Sequence, residues 1–124
     1  MSDYADCSYN ELHALQVLDP SMEPEFPEGC VIVIEPAQIC ATGAYVVITV
    51  QGERWFRQVL FEGDGRVLLR AVNPDHRPRD MDITGLPYNI EGVIVQRNVQ
   101  RQIKHYRPYI PFNGEPRPID PPAA

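Results

Sequence analysis

Apolar and polar positions alternate along the chain in short runs, which are rich in Val and Ile and bounded by Gly, Pro and Asn. This pattern predicts strands, because successive strand side chains point to opposite faces, whereas a helix needs an apolar stripe recurring about every 3.6 residues. His13–Leu18 reads as a first strand, and the apolar run Cys30–Ile34 as a second, expected to be buried on both faces. Tyr45–Val50 is a third, and Gln51-Gly52 is a two-residue turn into a fourth, Glu53–Phe61. Glu62-Gly63-Asp64-Gly65 turns the chain into Arg66–Val72. Asn73–Pro78 is read as a loop, since proline lacks a ladder donor and constrains the residue before it. After a turn around Gly85-Leu86-Pro87, Ile90–Val99 is the last long strand. No stretch shows a helical period and there is no internal repeat, so the expected class is mostly β, built from coiled hairpins.

The segment from His105 to Ala124 breaks this pattern, because it holds Pro108, Pro111, Pro116, Pro118, Pro121 and Pro122. It is expected to be extended, with Tyr106, Tyr109, Ile110 and Phe112 suited to docking. The 124 residues therefore divide into a short polar segment (1–11), one folded domain (12–104) and a proline-rich tail (105–124).

A net charge of -6 argues against direct binding to nucleic acid, which needs a basic face to neutralise phosphates. No apolar run is long enough to span a bilayer and the first residues are acidic, so a cytoplasmic protein with no membrane partner is expected. Cys7, Cys30 and Cys40 have no C-x-x-C spacing and read as structural thiols, and His13, His76 and His105 are scattered. No metal and no cofactor is expected. Only Lys104 among the 11 basic residues is a lysine.

One stretch carries candidate chemistry. In Leu18-Asp19-Pro20-Ser21-Met22-Glu23-Pro24, a serine sits where an apolar strand gives way to a proline-punctuated loop. That is ordinary turn chemistry, and it is also a place where a hydroxyl can be held at the edge of a rigid sheet. The landmarks that follow are Gly29 with an apolar strand, Gly43 with another, the Gly52 hairpin, a basic strand, a hairpin, Asn73-Pro74 and Gly92-Val93-Ile94. In this order, over about residues 12–100, the chain resembles the LexA-like serine peptidase domain of SOS and phage repressors, related in fold to signal peptidases.

The resemblance implies a fold of coiled β-hairpins with a small barrel-like core, and a serine–lysine dyad. Ser21 matches the nucleophile position, and backbone N–H groups around Ser21 and Met22 would be oxyanion donors. The base in such proteins is a lysine on a later hairpin strand, made neutral by apolar surroundings. The matching position here is Arg57, which shares its strand face with Trp55, Val59 and Phe61. A guanidinium stays protonated and has no acceptor lone pair, so it cannot take the proton from Ser21. Its burial requires a carboxylate partner, for which Asp19 and Glu23 are the candidates. Lys104, His13 and His76 are the other conceivable bases, none indicated by the motif.

Further departures are Gly29-Cys30 and Gly43-Ala44 where the family usually carries Gly-Asp, and the absence of an Ala-Gly or Cys-Gly dipeptide of the kind self-cleaving members cut. These readings lead to a catalytically silent peptidase-fold domain that acts in dimerisation or regulation. The homodimer is expected to form through Gly92–Ile103, with Val93, Val95 and Val99 on an exposed edge strand. The alternatives are a serine peptidase, self-cleaving or acting in trans, with Ser21 and a non-standard base, and a module holding an extended peptide or protein segment beside Ser21. The proline-rich tail is one candidate for that segment.

Overall fold

A computed structural model describes residues 12–106. The expectations for residues 1–11 and for the tail beyond Tyr106 lie outside the described residues. Eight strands form one antiparallel sheet: β1 (His13–Gln16), β2 (Val31–Pro36), β3 (Tyr45–Val50), β4 (Glu53–Phe61), β5 (Val67–Arg70), β6 (Asp80–Asp82), β7 (Tyr88–Val99) and β8 (Gln102–His105). Their order is β1-β2-β7-β3-β4-β5-β6, with β8 also paired to β7. The described part is all β, as expected of a LexA-like fold, and none of its elements is a helix long and apolar enough to cross a membrane.

Alternation along β3 generates two cores. Val46, Ile48 and Val50 face one cluster with Val59, Leu69, Ile83 and Ile90, while Tyr45 and Val47 face another with Met22, Phe26, Ile32 and Ile94. The strand buried on both faces is therefore β3 rather than β2. In β2, Ile32 and Ile34 are buried but Val31 is exposed, because β1 and β7 flank that strand while one of its faces stays open. The hairpin from β3 to β4 follows its turn residues: Val50 pairs with Glu53, and Gln51 and Gly52 have φ of 51° and 85°. Both central residues of a type I′ turn need positive φ, which glycine adopts without strain.

The last long strand is not an edge. β7 lies between β2 and β3, with β8 on its final residues, so Val93, Val95 and Val99 do not offer a free edge to a second copy. Alternation shows that a strand has two faces, but not how many neighbours it has. β7 serves several partners by carrying an extra residue at two places, Glu91 opposite β3 and Val95 opposite β2, where the register slips. At the crossing, Gly92 is required by space: a Cβ there would lie 2.5 Å from Ile34 Cγ2 and 2.6 Å from the Glu35 carbonyl oxygen. Among the described residues the margins of the sheet are β1, β6 and β8.

Candidate functional site

The loop between β1 and β2 carries Ser21. Reciprocal bonds between Val17 and the Cys30 carbonyl (2.9 Å), and between Gly29 and the Val17 carbonyl (2.7 Å), close its base. Inside the loop, the Phe26 N–H donates to the Met22 carbonyl at 2.8 Å. Phe26 is the plug: it is fully buried and meets Tyr45, Phe56 and Tyr106 with centroids 4.9, 5.0 and 5.4 Å away. The neighbouring Glu25 is held by Lys104 Nζ at 2.7 Å and by the Tyr106 hydroxyl, and its backbone carbonyl accepts from Arg97. Burial works against the Glu25 charge, but these donors and the nearby cations hold its pKa below the ordinary range. Lys104 is thus committed to Glu25.

Ser21 is 1% exposed, and its hydroxyl is engaged on both sides. It donates to Asp19 Oδ1 at 2.6 Å and accepts from Arg57 Nη1 at 2.9 Å. The Ser21 N–H donates to the same Asp19 oxygen at 3.0 Å. Arg57, 7% exposed, also donates to the Phe56 carbonyl at 2.8 Å, and its guanidinium carbon lies 5.3 Å from the Trp55 ring centroid. Burial lowers the Arg57 pKa and the Asp19 charge only partly offsets this. For Asp19, burial works upward, but the two bonds from Ser21, with the charges of Arg57 and His76, hold its carboxyl below the ordinary value.

The expected residues are thus placed as follows. Ser21, Arg57 and Asp19 form one cluster, in which Asp19 meets Arg57 through the serine hydroxyl rather than in an ion pair. Glu23 turns away and accepts the Glu28 N–H at 3.1 Å. Met22 packs its side chain fully into the core beside Phe26.

Two further neighbours complete the cluster: Asn73, which the sequence marks only through the Asn73-Pro74 landmark, and His76, a conceivable base that the motif does not indicate. Asn73 clamps the serine turn, donating from Nδ2 to the Pro20 carbonyl at 2.9 Å and from its N–H to the Ser21 carbonyl at 3.0 Å. His76, three residues on, brings Nε2 to 3.4 Å from Arg57 Nη2. The Asn73-Pro74 landmark marks a loop without saying what it covers.

A cavity of about 340 Å³ opens beside Ser21 between β1 and β4, lined by Leu15, Val17, Ile32, Phe56 and Arg57 among others. A second hollow of about 280 Å³ continues it toward Pro36, and Leu15, Val47 and Arg54 line both. Among the described residues β1 pairs only with β2, and its residues line this groove. No group of His, Cys, Asp and Glu suited to a metal occurs among the described residues.

An all-antiparallel sheet with a buried serine at the mouth of a groove agrees with the peptidase-fold domain that the resemblance implies. The family model described as Peptidase S24-like matches residues 4–95, and the chain belongs to that family. It is also 32% identical over 81 residues to a protein of Coxiella burnetii (strain RSA 493 / Nine Mile phase I) described as an uncharacterized HTH-type transcriptional regulator. That match covers 64% of this chain and 37% of the relative, so the chain spans well under half of the relative's length.

Proposed function

We propose that this is a catalytically silent Peptidase S24-like domain that keeps the serine position and the groove but serves as an interaction module. The observation that carries the reading is the bond from Arg57 Nη1 to Ser21 Oγ at 2.9 Å. The resemblance puts a lysine at that position as base, and a lysine can lose a proton near neutral pH when desolvated. A guanidinium cannot, and it donates to the hydroxyl instead of accepting from it. Met22 would supply a backbone donor for an oxyanion in an active relative.

The test is labelling with a fluorophosphonate. The parent is expected to react no faster than Ser21→Ala, whereas Arg57→Lys is expected to react at least about tenfold faster at pH 8 to 9. Labelling of Ser21 in the parent would sink the proposal.

A second reading, a serine peptidase with a non-standard base, is favoured by one distance: Ser21 Oγ donates to Asp19 Oδ1 at 2.6 Å. Its weakness is that Asp19, already held below the ordinary carboxylate range, is a poor proton acceptor. This reading predicts parent labelling that is lost in Asp19→Asn.

Similarity to a protein described as a transcriptional regulator supports a regulatory setting. Self-association is part of the proposal, with β8 replacing β7 as the pairing edge, since β8 is a margin and exposes Ile103. Ile103→Lys should then shift sedimentation from dimer to monomer. A parent that is monomeric at high micromolar concentration would remove this part of the reading.

A further inference from the structure

The groove beside Ser21 contains a cation, Arg57, that has no ion-pair partner among the described residues. Among the described residues Arg57 forms no salt bridge, although Arg54, Arg66, Arg70, Arg97 and Lys104 each do. The acid whose charge acts on Arg57 is Asp19, and its Oδ1 is occupied by the Ser21 N–H and hydroxyl. Of the guanidinium donors, Nη1 serves Ser21 and the Phe56 carbonyl, and Nη2 has only the long contact to His76 at 3.4 Å. Arg54, on the same strand β4, is already bound to Glu91 at 3.0 Å. A buried charge of this kind is costly until an anion meets it, and a guanidinium matches a planar carboxylate best.

We infer that the groove takes an extended peptide ending in a free carboxylate, with that carboxylate against Arg57. The assignment rests on the peptide groove proposed above and names its ligand. The direction of the chain follows from two features. The backbone edge of β1 that no strand among the described residues covers, and the apolar walls (Leu15, Val17, Ile32, Phe56), suit an added strand, with main-chain bonds along one side. A hydroxyl in a nucleophile position faces a main-chain carbonyl, so the anion delivered beside Ser21 is the main-chain terminus rather than a side chain. Asp19 lines the same cavity and opposes a second negative charge there, which limits the site to one carboxylate.

The experiment is calorimetric titration of the whole chain with three N-acetylated peptides. The first is Ala-Val-Ala-Val-Ala with a free C-terminus, the second the same peptide as its C-terminal amide, and the third an amide carrying Glu in the last position. The free acid is expected to bind at least about tenfold more tightly than the plain amide. In Arg57→Met this preference is expected to vanish while amide binding persists. Equal affinity for acid and plain amide overturns the inference and leaves the peptide groove standing. Tightest binding by the Glu amide overturns the main-chain assignment. No binding by any of the three at millimolar concentration overturns the inference together with the groove. The comparison among ligands on the unaltered protein decides the matter even if Arg57→Met fails to fold.

Discussion

The Ser21 hydroxyl has a single proton, and Asp19 receives it while Arg57 fills a lone pair. Removing either neighbour has opposite consequences. Asp19→Ala leaves a buried N–H and hydroxyl without their acceptor and takes away the charge nearest Arg57, which should cost about 2–3 kcal/mol. Arg57→Met removes a desolvated cation that lacks an ion pair among the described residues, so stability should be unchanged or raised by about 1–2 kcal/mol. Urea midpoints for the two variants check both signs, and an Arg57→Met loss larger than that of Asp19→Ala would show the guanidinium to be a net stabiliser. The alternation of β4 made Arg57 legible in the sequence, as a charge on the same face as Trp55 and Val59. Asn73 and His76 could not be read that way, because their contacts arise only when the loop after β5 folds across the serine turn. The carboxylate of Glu23 looked as near to Arg57 in sequence as that of Asp19, but local turn geometry sends it to Glu28.

At the scale of elements, the serine loop owes its shape to anchors at some distance from the serine. Phe26→Ala should cost about 3–5 kcal/mol, since three aromatic rings lose their common neighbour. Limited proteolysis should then find new cleavage between residues 18 and 29; a cut elsewhere would place the weak point outside the loop. Gly92→Ala forces a Cβ into the β2 backbone and should cost about 1–3 kcal/mol, again read from denaturant midpoints. The β3–β4 hairpin was plain from two turn residues, whereas β6 and β8, with 3 and 4 residues, carry too little pattern to stand out. β8 and Tyr106 also carry the folded body past the boundary drawn at residue 104, because Tyr106 is buried beside Phe26 and Tyr45.

For the molecule as a whole, the clasp of Glu25 with Lys104 and Tyr106 should make stability fall at both ends of the pH range. Glu25 is held below its ordinary value of 4.5, so its contribution is present above that pH and lost as acid carries it through the lowered value. Tyr106, buried and bonded to Glu25, is pushed well above its ordinary 10.0. Above pH 10 the unfolded chain loses that proton first, and stability declines as pH rises. Urea midpoints across pH should show a plateau between these limits, and Tyr106→Phe should lessen the alkaline decline while keeping the acid one; an unchanged alkaline limb would assign it to another group. The position of β7 between β2 and β3 bears equally on assembly. A nascent chain that has emerged only as far as Pro87 lacks the strand that joins the two sides of its sheet, so the ribosome releases nearly the whole domain before it can close. Contacts of such long separation also slow refolding, toward the millisecond-to-second range. Separately made pieces spanning 12–87 and 88–106 should each be unstructured and recover β-sheet circular dichroism when mixed, with the late strand acting as a keystone supplied in trans.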